Sequence, residues 1–152
     1  PGTWTAAQTR LNELNLVKNT YTLVGNKQVL SGATDLALGT YTEYRTWLLG
    51  GNATNMAYML SVQLSAMSNN VTYGMVNGGA LIHAPSLISF LGGSGFYTVN
   101  DVMAAADTSL STDKYTISGH PQRWYQEQLK TALDRANNNL NFVQGYCVIP
   151  VP

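Results

Sequence analysis

The sequence predicts a mainly α fold, a single-domain helical bundle of about four to five helices with a small β-hairpin and an extended C-terminal tail. Three observations carry that expectation. Met56, Leu60, Leu64, Met67 and Val71 recur at steps of three or four, the spacing that places apolar groups on one face of a helix. Leu129, Ala132, Leu133, Ala136 and Leu140 repeat the pattern near the C-terminus. Turn-forming Gly25-Asn26-Lys27 separates two short β-prone runs. No repeat period or composition boundary divides the chain, so 1–152 is read as one domain, with an N-terminal arm at 1–4 and a tail at 142–152.

The elements follow in order. A first helix is expected from Thr5 to about Val17, where Leu11, Leu14 and Val17 form one stripe. Tyr21–Val24 and Gln28–Leu30 make the hairpin, since Gly and Asn accept the positive φ of its turn. After a polar loop, Ser31–Gly39, Thr40 and Glu43 form a capping box that opens a helix over Tyr41–Leu49, stopped by Gly50-Gly51. Asn52 or Thr54 then starts the long helix that ends near Val71. Gly74, Gly78 and Gly79 break it, and Ala80–His83 leads to Pro85. Ser86–Leu91 is a short helix, Gly92–Gly95 a flexible turn, and Thr98 or Asn100 caps a helix over Asp101–Leu110.

The last helix is expected from about Pro121, which suits a first helical position, to Asn138. Arg123/Glu127 and Lys130/Asp134 fall at i,i+4 on its polar face. Beyond it, Phe142–Pro152 reads as an extended tail of apolar and turn residues closed by two prolines.

Charge is the feature that bears most on function. Only 8 Lys+Arg and 8 Asp+Glu occur among 152 residues, and the net charge is zero. Globular domains usually carry about a quarter charged residues, which hold like molecules apart. Here that repulsion is weak, and amides, hydroxyls and phenols supply the polar surface. Such a surface can bond to a neighbour without desolvating charges. The chain is therefore read as an extracellular structural subunit that self-assembles into a filament or surface layer. Heterologous contact between unlike patches would let the assembly propagate. The candidate subunit contacts are Trp4, in the N-terminal arm, and Phe142, Val143, Tyr146, Cys147, Val148 and Ile149 in the tail, which could reach a neighbour by strand addition.

The alternative is a monomeric carbohydrate- or peptide-binding module of a cell-surface protein. Nine Tyr against three Phe suggest half-exposed rings suited to protein contact or sugar stacking. Trp47 and Trp124 are expected in the core. Possible further partners are other surface proteins or glycans. Without a basic cluster, nucleic acid and anionic membranes are poor partners. The longest apolar runs fall well short of the roughly 18 residues that span a bilayer. The chain begins at Pro1 without a basic and apolar leader, which fits a mature exported chain or a trimmed one.

No residue set compels a reaction, and no catalytic, cofactor or metal residue is assigned. His83 and His120 have no second ligand at i+3 or i+4. The carboxylates are scattered; Asp101 and Asp107 share a predicted helix but point in different directions. Gly92–Gly95 lacks the Lys-Ser/Thr of a phosphate loop, and no serine occupies a Gly-x-Ser-x-Gly elbow. Met56, Met59, Met67 and Met75 fit a core face better than a groove. Cys147 fits a small apolar residue on a strand, an intermolecular disulfide, or a bond to a cysteine elsewhere.

Three stretches carry a resemblance: Tyr44–Leu49 with Asn52–Leu64 (NATNMAYMLSVQL), Phe96–Met103, and Tyr125–Asn139 with Asn141–Val143. In order and spacing they resemble a group of uncharacterised secreted or cell-surface bacterial proteins. Those share an "ATNMAYMLSxQL" helix and a "YQExLKxxLDxANNN" helix before a short Cys- and Pro-containing tail. The resemblance covers roughly residues 41 to 150 and implies export and surface residence. It adds no catalytic residue.

Overall fold

The computed structural model describes residues 2–143, and the side chains of residues 4–143. Among the described residues 51% are helical, in six helices and one 3-10 turn, and 17% are in strands. The architecture is α+β, which corrects the expected four-to-five-helix bundle. The order is α1 (Gly2–Asn12), β1 (Val17–Val24), β2 (Lys27–Asp35), α2 (Tyr41–Leu49), α3 (Met56–Thr72), β3 (Leu81–His83), a 3-10 turn (Pro85–Leu87), α4 (Ile88–Leu91), β4 (Phe96–Thr98), α5 (Val99–Thr112) and α6 (Arg123–Asn137).

The correction has two sources. First, the hairpin is longer than predicted, because α1 stops at Asn12. The Asn12 side chain donates to the Leu38 carbonyl at 2.9 Å and accepts from the Leu38 N–H at 3.0 Å, tying the helix end to a distant loop. Val17 therefore belongs to a strand rather than to a helical stripe. Second, β3 and β4 pair antiparallel with Ile82 opposite Tyr97, a sheet of three-residue strands too short for a periodicity to show. Phe142 joins β3 through one antiparallel bridge to Ile82.

α3 is the central element and packs most extensively on α6, then on α5, α1 and the base of β1. Leu60, Leu64 and Met67 of α3, Val102, Ala106 and Leu110 of α5, and Leu129 and Leu133 of α6 are fully buried. Each buried leucine is worth roughly 1.5–3 kcal/mol in apolar area removed from water. The α3 face is as its spacing predicts, but the cap is Asn55, whose side chain accepts from the Ala57 N–H at 3.2 Å. The Thr40/Glu43 capping box forms as expected, with Glu43 N–H on Thr40 Oγ1 at 3.1 Å and Thr40 N–H on Glu43 Oε2 at 3.2 Å.

α6 begins at Arg123, two residues past Pro121. Arg123 does not pair with Glu127; its guanidinium donates to the carbonyls of Ala53, Thr54 and Thr116 and pins two loops to the helix start. Leu140 falls beyond the helix and is exposed, so the packing face ends at Ala136. Trp47 is buried as expected, whereas Trp124 is 62% exposed on the outer face of α6. Of the four methionines weighed as core, Met56 and Met67 are buried, Met59 is half-buried and Met75 is exposed.

An aromatic column fills the space between α1, α2 and α3. Trp4 stacks on Tyr44 at 5.8 Å, Tyr44 on Trp47 at 6.0 Å, and Trp47 on Tyr58 at 5.6 Å between ring centroids. Offset stacks of this kind add about 0.5–1.5 kcal/mol each beyond area burial.

Candidate functional site

The β1–β2 ribbon leaves the body of the protein at Val17 and Asp35, which lie opposite each other at its base. Val17 is fully buried, and its N–H donates to Ser61 Oγ of α3 at 3.0 Å. From there outward the strands lose cover: Tyr21, Leu23, Val24 and Val29 are all exposed, Leu23 to 68%. A bulge between Thr20 and Tyr21 leaves Ser31 as the extra residue of β2. Tyr21 faces the same side as Leu23 and, across the ribbon, Leu30; Val24 and Val29 share the other side. Both faces near the tip thus carry apolar residues, and among the described residues the sheet has only these two strands. A two-stranded ribbon is marginal in water and offers unpaired edges to a further chain.

A second, unlike patch lies on the β3–β4 sheet. Leu81 and Phe96 are exposed beside the exposed Val143, and His83 stacks on Phe96 at 4.7 Å. Val143 donates its N–H to the Leu81 carbonyl at 3.0 Å. Ile88, Phe90 and Leu91 are partly exposed on the neighbouring helical turn, where Phe90 stacks on Tyr125 at 4.6 Å.

Of the residues expected to touch a neighbour, Trp4 lies inside α1, with its ring packed between Tyr41 and Tyr44. Phe142 is half-buried against the core and Val143 is exposed. Tyr146, Cys147, Val148 and Ile149 lie outside the described residues. The ribbon itself was missed as a contact surface. Its signal is five apolar residues, Tyr21, Leu23, Val24, Val29 and Leu30, among the ten positions 21–30 of a turn-centred hairpin.

The charged groups form separate pairs: Lys114 Nζ lies 2.9 Å from Asp35 Oδ1, and Arg10 Nη1 lies 3.2 Å from Glu13 Oε2. His120 accepts the Gln122 N–H at Nδ1, 3.1 Å, and its Nε2 lies 3.9 Å from Asp113 Oδ1. Both imidazole nitrogens of this pair face protein groups, which gives it the geometry of a turn lock. No group of three His, Cys, Asp or Glu able to hold a metal occurs among the described residues.

The most connected polar cluster is internal. Asn55, Thr116 and Gln126 are fully buried. Thr116 Oγ1 donates to Gln126 Oε1 at 2.6 Å, and Gln126 Nε2 donates to Ser109 Oγ at 3.1 Å and the Asp113 carbonyl at 2.8 Å. Asn55 Nδ2 reaches Asn19 Oδ1 at 2.9 Å and the Lys114 carbonyl at 3.1 Å. These bonds are internally satisfied and fix the 113–116 loop to α3, α6 and the ribbon base. No family model, curated protein or solved structure matches the chain.

Proposed function

We propose that the chain is an extracellular structural subunit that self-assembles into a filament or surface layer. The observation that carries this reading is the ribbon tip, where Tyr21, Leu23, Val24 and Val29 stand in water on both faces of a two-stranded sheet. Exposed apolar clusters of this kind mark interaction surfaces. The low charge of the chain supports the same reading, because little electrostatic repulsion opposes contact between copies. The Leu81/Phe96/Val143 patch supplies an unlike surface, and contact between unlike patches propagates as an open assembly where its rotation does not close a ring. The resemblance of the Asn52–Leu64 and Tyr125–Asn139 motifs to secreted proteins supports export.

The test is negative-stain electron microscopy of the purified chain at high concentration without reductant. Regular filaments or sheets are expected. Separate small particles at every concentration overturn the reading.

A further inference from the structure

We infer that the groove between the C-terminal ends of α3 and α6 is a binding site for a neutral saccharide. This goes beyond assembly and does not depend on it. The groove has a volume of about 530 Å³, within the range of small-ligand clefts. Four asparagines, Asn70, Asn77, Asn137 and Asn139, line it together with Met75 and Phe142. None of its lining residues is charged.

Three of the four amides, those of Asn70, Asn77 and Asn137, are held in fixed orientations by the protein. Asn137 Nδ2 donates to Gln63 Oε1 at 2.8 Å and to the Gln63 carbonyl at 3.1 Å, which leaves Asn137 Oδ1 to accept from Asn70 Nδ2 at 3.0 Å. Asn70 Oδ1 is thereby left over as an acceptor. Asn77 Oδ1 accepts the Gly79 N–H at 2.9 Å, so its Nδ2 is left over as a donor. The turn carrying Asn77 is itself anchored: Asn100 N–H donates to the Gly78 carbonyl at 2.9 Å, and a Cβ on Gly78 would collide with the Asn100 side chain. Asn139 ends α6 at φ +56, and among the described residues no protein group binds its side-chain amide.

A pre-oriented acceptor, a pre-oriented donor and a free amide suit a row of hydroxyls, each of which both donates and accepts. Met75 and Phe142 give the C–H face of a sugar ring an apolar surface. An ionised ligand would lose its hydration and meet no opposite charge. A peptide strand would need an extended ladder edge, whereas these walls are helix ends, a turn and the single bridged residue Phe142. Neutral sugar is the chemistry that uses every group present.

The experiment is calorimetric titration of the full chain with cellotetraose, maltotetraose, mannotetraose and chitotetraose, with tetragalacturonate as the charged control. At least one neutral tetrasaccharide is expected to bind, and tetragalacturonate is not. Asn139→Gly keeps the positive φ, and Asn77→Asp keeps the acceptor for Gly79. Each should weaken binding by about threefold to tenfold, the worth of one hydrogen bond, with the circular dichroism spectrum unchanged. Silence of all four neutral sugars overturns the inference, as does binding that neither variant alters. A peptide of residues 144–152 that binds in place of the sugars also overturns it, by making the groove a seat for a chain end. Microscopy of the same samples reports assembly separately, so either reading can fail alone.

Discussion

Trp47 Nε1 donates to the carbonyl oxygen of Val17 at 2.9 Å, joining α2 to the residue at which the ribbon leaves the body. The same indole stacks between Tyr44 and Tyr58, so one side chain fixes both the aromatic column and the ribbon root. Trp47→Phe keeps an aromatic ring but leaves the buried Val17 carbonyl without this donor. It is expected to cost about 2–4 kcal/mol from the lost bond and the smaller ring. Urea unfolding measures the loss, and hydrogen exchange should show ribbon amides opening before those of α3.

Asn55 is the hub of the buried network. Its Oδ1 accepts from the N–H groups of Ala57 and Thr116, and its Nδ2 serves Asn19 and Lys114. Asn55→Ala strands the Thr116 N–H in a fully buried position and removes the α3 cap. A loss of about 2–4 kcal/mol is expected. Asn55→Ser, which restores a capping oxygen, should recover part of it in thermal unfolding. Equal losses for the two variants would show that the cap adds nothing.

These two sites also show where a sequence can be read and where it cannot. The apolar face of α3 is legible because Leu60, Leu64 and Met67 repeat at helical spacing within one element. The capping box at Thr40 and Glu43 is legible for the same reason: its partners are three residues apart. The end of α1 at Asn12 was not, because what stops the helix is a bond to Leu38, 26 positions away. β3 and β4 have three residues each and no period of their own; their pairing comes from the fold around Ile82 and Tyr97. Trp124, expected in the core, sits on the outer face of α6, while Leu129, Ala132, Leu133 and Ala136 take the inner one. Of the candidate contacts, the apolar run at Phe142 and Val143 was visible in sequence, whereas the exposure of the ribbon tip depends on which neighbours fail to cover it.

The ribbon tip separates stability from assembly. Leu23 and Val24 touch opposite faces of the ribbon and are mostly in water, so Leu23→Glu with Val24→Lys should change folding free energy by no more than about 0.5 kcal/mol per site. The same double variant places charge where a second copy would dock. Sedimentation at rising concentration is expected to show assemblies for the parent chain and monomers for the variant. Assembly that survives both charges would move the contact to the Leu81/Phe96/Val143 patch.

Tyr58 makes stability depend on pH at the alkaline end. Its hydroxyl donates to the Trp47 carbonyl. Burial, with a smaller contribution from the nearby Tyr21, raises its pKa from 10.0 to about 12. In the unfolded chain the phenol ionises near its ordinary value, so through this window the folded state holds the proton more tightly. The stability linked to Tyr58 is therefore fully present below pH 10 and is lost as pH rises toward 12. Other tyrosines and the lysines titrate in the same range, so the diagnostic quantity is the difference between the parent chain and Tyr58→Phe. At neutral pH the variant should be about 1 kcal/mol less stable for want of the hydrogen bond. In urea titrations that gap should hold from neutral pH to about pH 10 and narrow above it, because phenylalanine has no proton to lose. A gap that stays constant would place the ionisation of Tyr58 outside it and remove burial as its governing cause.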